Sequence, residues 1–157
     1  MLKTQKLGGE QSQNAERELF DTEMKAYDRL KPLQGVVVPQ CYGHVRYNGL
    51  GAIILEHLGG VSLAFPEGAT LQLEELSSLL QSCHQALHVY GVDQEDPQPS
   101  NFQLLPGKIM ALDFERVAFD KSADDMAFSM KLNIEDLAAR YRQMQAFFRH
   151  EGMLQAA

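Results

Sequence analysis

Cysteine is scarce in this chain of 157 residues, which has only Cys41 and Cys83. Two thiols cannot form the bridge framework of a small secreted domain, so both are expected to be reduced. Basic clusters are lacking as well. The net charge is −7, and no run of lysine or arginine offers the electrostatic footprint of a nucleic-acid binder. A small anionic ligand needs only one or two local cations and stays open. Long apolar runs are also missing. The stretch "LGAIILEHLGG" is too short and too rich in glycine to span a bilayer. The opening "MLKTQKLGGEQ" has no apolar centre of the kind a signal peptide carries. These absences lead to an expectation of no nucleic acid, no membrane, and a cytoplasmic or nuclear location. No internal repeat is visible.

Enough apolar residues are present for one domain with a real core. Hydrophobic residues make up 45% of the chain and charged ones 22%, the balance of a globular protein. Leu19, Phe20, Met24, Ala26, Tyr27 and Leu30 recur at helical spacing in "AERELFDTEMKAYDRLK", with Ser12 or Asn14 as the expected cap. Glu23 breaks that stripe. Its neighbours three and four positions away are Leu19, Phe20, Ala26 and Tyr27, so it points into the apolar face. It is either an edge glutamate that reaches water or a partly buried carboxylate that needs a cation.

Pro32 and Gly35 end this first helix. "CYGHVRY" and "LGAIILE" then read as two strands joined by Asn48-Gly49, a pair that tolerates positive φ. A second helix is predicted from Leu73 to Tyr90, with Leu73, Leu76, Leu80, Cys83, Leu87 and Tyr90 on its stripe. "FQLL" and "KIMALDF" flank Pro106-Gly107 as a second hairpin. A third helix is predicted in "NIEDLAARYRQMQAFFRH", capped by Asn133, with Leu137, Tyr141, Met144 and Phe148 inward. The order helix, hairpin, helix, hairpin, helix is α+β. His84 and His88 stand four apart on the second helix, a metal-ligand spacing, but no third ligand is evident in the sequence. Packing is the favoured reading for this pair.

The loop "GVDQEDPQPSNF" poses the functional question. Asp93, Glu95 and Asp96 could form a solvated acidic turn. However, Asp96, Asn101 and Asp113 have the spacing D-x4-N-x11-D, and the last Asp ends an apolar strand and precedes Phe114. This pattern resembles the catalytic loop and the metal-binding Asp-Phe motif of protein kinases. The chain resembles a protein-kinase-like domain of the divergent fungal type, related to the aminoglycoside and choline phosphotransferases, over roughly residues 1 to 120. "LHVYGV" resembles the end of the helix before that loop, and "ILEHLGGVSL" resembles the strand and hinge beside the nucleotide base. "FDTEMKAYDRL" with "LQGVVVPQCYG" resembles the mobile helix and the strand after it.

The resemblance implies a partial kinase-like fold. Residues 1–58 would be an N-lobe remnant and hinge, and residues 59–157 a partial helical C-lobe. It implies ATP and Mg²⁺ as cofactors, with transfer of the γ-phosphoryl group to a hydroxyl-bearing acceptor that the sequence does not identify. Asp96 would be the catalytic acceptor of the hydroxyl proton, and Asn101 and Asp113 the metal ligands. Lys3, with Lys6 close by, would hold phosphates and pair with Glu23. The backbone at Glu56 and Leu58 would meet the adenine. Some features depart from the family. No glycine-rich phosphate cover precedes Lys3, and the stretch after Asp113 is short for a helical lobe. Gln94 replaces the usual His, and Glu115 replaces the Gly of Asp-Phe-Gly, although Asp-Phe-Glu occurs in the small-molecule kinases. These departures imply a truncated domain, with a non-catalytic pseudokinase, a binding scaffold or a fragment of a longer kinase as the alternative. Truncated surfaces would then favour self-association or a protein partner.

Overall fold

The structure is a computed structural model that describes residues 1–4 and 10–155, with only the backbone of 10–13. In chain order the elements are β1 (Leu2–Thr4), α1 (Glu10–Arg29), β2 (Cys41–Tyr47), β3 (Leu50–Leu55), β4 (Val61–Ser62) and α2 (Leu73–Val89). They continue with β5 (Val92–Gln94), β6 (Phe102–Leu105), β7 (Lys108–Ala111), β8 (Val117–Phe119) and α3 (Ala123–His150). The fold is mixed α and β. Among the described residues its strands form three small sheets, with orders β1-β3-β2, β4-β6-β7 and β5-β8, whose strands pair antiparallel.

Both predicted hairpins form. Asn48 and Gly49 take φ of 50° and 80° at the tip between β2 and β3, the positive values that such a two-residue turn needs. Two predicted caps are corrected. Ser12 and Asn14 lie inside α1, not at its start. Asn133 lies well within α3, because the helix begins at "SADD". There Ser122 accepts a hydrogen bond from Asp125 N at 3.1 Å and donates to the Asp125 carboxylate at 2.6 Å, a capping arrangement that uses Asp in place of Glu. Asn133 instead donates to the Gln94 carbonyl at 3.0 Å. The short strands β1, β4, β5 and β8 are additions to the predicted order. Strands of two or three residues carry no readable period and exist through pairing with distant chain.

One core runs through the molecule. Tyr27 and Leu30 of α1, Ile53 and Leu55 of β3, Leu76, Leu80 and Leu87 of α2, Phe102, Phe114, and Leu137 and Tyr141 of α3 are all buried. Cys41 and Cys83 are free thiols, as expected. Among the described residues, no helix is long and apolar enough to cross a membrane.

Side-chain amides and hydroxyls hold α3 against the loop before α2. The Tyr141 hydroxyl donates to the Gly68 carbonyl at 2.8 Å and accepts from Leu71 N at 3.0 Å. Gln145 Nε2 donates to the carbonyls of Ala69 and Leu71. Removing the hydroxyl leaves a buried carbonyl and a backbone N–H unpaired. Tyr141→Phe is expected to lower stability by about 2 kcal/mol in urea unfolding without changing the helical circular dichroism.

Candidate functional site

Lys3 lies on β1 opposite Ile53 of β3, which sets its side chain toward α1. Its Nζ is 2.8 Å from Glu23 Oε1, 3.1 Å from Asp113 Oδ2 and 3.3 Å from Glu115 Oε1. Glu23 is 1% exposed, so it is the buried carboxylate with a cation and not the edge residue. Lys6 lies outside the described residues. The same Glu23 oxygen accepts from Phe114 N at 3.3 Å. Phe114 stacks edge-on against Tyr27, and the Tyr27 hydroxyl donates to the Leu112 carbonyl at 3.0 Å. Helix α1 is thereby fastened to residues 112–115 by an aromatic contact and two hydrogen bonds.

Burial opposes the charge on Lys3, but Glu23 foremost, then Asp113 and Glu115, outweigh it and raise its pKa above the usual lysine value. Burial also raises the Glu23 carboxyl above its ordinary range, against the opposing pull of Lys3. Three carboxylates surround one ammonium, so the cluster carries surplus negative charge. Glu115 needs no special backbone here. Positive φ among non-glycine residues occurs at Asn48 and Asp120, and the Glu115 N–H donates to Asp113 Oδ1 at 3.0 Å.

Asp96 and Asn101 lie on the loop after β5. Asn101 is buried, and its Nδ2 donates to the Asp96 carbonyl at 3.3 Å. With Nδ2 committed inward, Oδ1 is the amide atom left for a ligand. Among the described residues, the Asp96 carboxylate has no hydrogen-bond or ion-pair partner. Gln94 joins this loop to the Lys3 cluster. It is fully buried, its Nε2 donates to the Asp113 carbonyl at 3.1 Å, and its Oε1 accepts from Asp96 N at 3.0 Å. The Asn101 carbonyl also accepts from Leu112 N at 2.9 Å. The segments that carry Asp96, Asn101 and Asp113 are therefore cross-linked. Gln94, which stands where the resembled family has His, spans both segments with one donor end and one acceptor end of its amide.

Glu56 and Leu58 follow β3, and the Glu56 hydrogen bonds go to Gln40. The Glu56 N–H donates to the Gln40 carbonyl at 2.8 Å, and Glu56 Oε2 accepts from Gln40 N at 3.1 Å. The Glu56 side chain thus secures the start of β2. Leu55, just before Glu56, exchanges backbone hydrogen bonds with Met1 at the start of the chain.

Asp93 is not part of a solvated turn. It is fully buried on β5, with His88 Nε2 3.0 Å from Oδ1 and Lys121 Nζ 2.9 Å from Oδ2. Lys121 also pairs with Glu95. Burial alone would raise the Asp93 carboxyl. Hydrogen bonds from His88 and Lys121 and the Lys121 charge overcome that and bring it down to about 2. Of its two partners, His88 is five positions away and Lys121 is 28, so the Lys121 pairing leaves no local signal.

Neither a family model nor a curated protein sequence matches the chain. Solved structures do. A crystal structure of WbdD aligns with 99% of this chain at 18% identity and a TM-score of 0.63. A complex of WbdD with the kinase inhibitor LY294002 aligns with 96% at 20% identity and a TM-score of 0.59. The likeness is one of fold and is consistent with a partial kinase-like architecture. The chain spans about two-fifths of the length of these structures, 41% and 39%.

Lys3→Met would leave Glu23 buried with no ammonium beside it, at a cost of about 3 kcal/mol near neutral pH. A carboxyl whose pKa is raised in the folded state binds its proton more tightly there. The stability it contributes is therefore present at low pH and lost as pH rises above the ordinary 4.5 toward the folded value. The deficit of Lys3→Met should shrink between pH 7 and about pH 5 in urea titrations. A deficit independent of pH would show that Glu23 is not its source.

Proposed function

We propose that this chain is the nucleotide-handling part of a kinase-like phosphotransferase that moves the γ-phosphoryl group of ATP to a hydroxyl acceptor with Mg²⁺. The observation that carries the reading is the cross-link of Asp96 to Asp113 through Gln94, with Asn101 bonded to Asp96 and Leu112 and with Asp113 beside the Lys3–Glu23 pair. The WbdD fold and its complex with a kinase inhibitor support it.

The residues fit the implied cofactors. Mg²⁺ takes hard oxygen ligands. The Asp113 carboxylate and Asn101 Oδ1 are such ligands, and the surplus negative charge around Lys3 favours a cation. When bound, the ion would neutralise charge on the phosphate oxygens. Lys3 would bind the phosphates, with Glu23 orienting its ammonium. The carbonyl and N–H groups of the 56–58 main chain would meet the adenine. The acceptor oxygen forms a bond to the γ-phosphorus, the bond to the bridging oxygen breaks, and ADP leaves. The acceptor's proton passes to the free carboxylate of Asp96. Residues 1–58 and 59–157 serve as N-lobe remnant with hinge and as partial C-lobe. Exposed Tyr42, Val45 and Tyr47 on β2 support self-association or a protein partner.

A non-catalytic reading draws on a separate observation. Lys3 is held by Glu115 as well as by Glu23 and Asp113, so phosphates must compete for it. Thermal melts with ATP and Mg²⁺ separate the cases. Ligand at a hundredfold excess over its Kd should stabilise the fold by about 2.7 kcal/mol. Asp113→Ala should remove the metal-dependent part of that shift. Asp96→Ala should keep the shift and lower ADP production at least about 100-fold. A shift without turnover in the unsubstituted chain would make it a nucleotide-binding scaffold. No shift at all would overturn nucleotide binding.

A further inference from the structure

We propose that His84, His88 and Asp93 form a binding site for a transition-metal ion of the Zn²⁺ class at the junction of α2 and β5, apart from the Lys3–Asp113 cluster. The inference does not depend on the phosphotransferase reading. The two histidines are one helical turn apart on α2, and the fold brings up the third ligand that the helix lacks. One donor atom from each of the three residues lies within 4.8 Å of the other two.

The His88–Asp93 donor spacing matches that around a small ion, and His84 lies within 4.8 Å of both. Zn²⁺ bound at 2.0–2.1 Å in a tetrahedral site holds two ligand atoms about 3.3 Å apart. His88 Nε2 and Asp93 Oδ1 are 3.0 Å apart, so an ion could replace the proton they share with little movement. Lys121 holds the other oxygen, Oδ2, at 2.9 Å. That contact fixes the carboxylate from behind, as hydrogen-bonded carboxylates at metal centres are fixed.

His84 provides an independent observation. Its ring is 1% exposed, and its buried Nδ1 has no hydrogen-bond partner. A buried ring nitrogen without a partner is costly and calls for an explanation, which a metal ion would supply. Two imidazoles and one carboxylate suit Zn²⁺, Co²⁺ or Ni²⁺, whereas Mg²⁺ and Ca²⁺ prefer oxygen throughout. Three protein ligands leave a fourth position for water.

The place in the fold suggests what such an ion does. Asp93 lies on β5, next to Gln94 and three positions before Asp96. An ion there would clamp the end of α2 to the strand that feeds the Asp96 loop. It would do for this junction what Lys3 does for α1.

The test uses the full chain after dialysis against a chelator. Co²⁺ titration followed by visible absorption should give intense tetrahedral bands that saturate at one ion per chain, and Zn²⁺ should displace them. Zn²⁺ should also raise the melting temperature. His84→Gln and His88→Gln should each abolish the bands, with circular dichroism confirming that the variants fold. Should either fail to fold, Asp93→Asn, which keeps the shape of the side chain, is read in its place. His44→Gln and His57→Gln, at exposed positions, should leave the bands unchanged. Weak octahedral absorption only, bands that survive loss of His84, or bands lost with His57 would overturn the site.

Discussion

A carboxylate in the interior of this protein, Glu23, sets the condition that the rest of the candidate site meets. A buried charge is tolerated only when it is paired and hydrogen-bonded, and Glu23 has both an ammonium and a backbone N–H on the same oxygen. The ammonium comes from β1, the carboxylate from α1 and the N–H from the segment after β7. One oxygen atom therefore ties three stretches of chain that are far apart in sequence. The apolar contacts around it, Tyr27 on Phe114 above all, hold the elements close, and the charge pairing decides their register.

The same device recurs elsewhere. Gln94 lies between the Asp96 loop and Asp113, with both ends of its amide satisfied. Asn133 reaches from α3 to the Gln94 carbonyl, so the loop is braced from behind. Asp93, one position earlier, is buried between His88 and Lys121. Short irregular segments cannot satisfy their own backbone groups. Here buried side-chain amides satisfy some of those groups, ion pairs join side chains beside them, and together these residues hold the candidate site in place. The satisfied contacts lie around the Asp96 loop, while among the described residues the Asp96 carboxylate itself has no partner.

Much of this was legible locally. The stripes of α1, α2 and α3 follow from helical spacing, and the Asn48-Gly49 and Pro106-Gly107 hairpins from turn chemistry. Glu23 stood out because a charge interrupted an apolar stripe, and its partner Lys3 was the one expected. The Asp96, Asn101 and Asp113 pattern was legible as spacing within a resemblance. The start of α3 was missed because the apolar period weakens across "SADDMAFSMKL", although the Ser122 and Asp125 capping pair was there to be read. Of Gln94 only its difference from a family histidine was visible, not the two partners of its amide. Asp93 looked solvated because a run of acids usually is.

By itself, the sequence determined which segments are helical, where two hairpins turn, and which carboxylates and amides were available for chemistry. Those properties depend on neighbours within a few positions. Tertiary structure alone decided that Glu115 joins the Lys3 cluster, that Gln94 bridges the two acidic segments, and that Asp93 is buried beside two histidines. Each is a pairing between distant residues whose energy is realised only after the core has closed around them, and no local period records it.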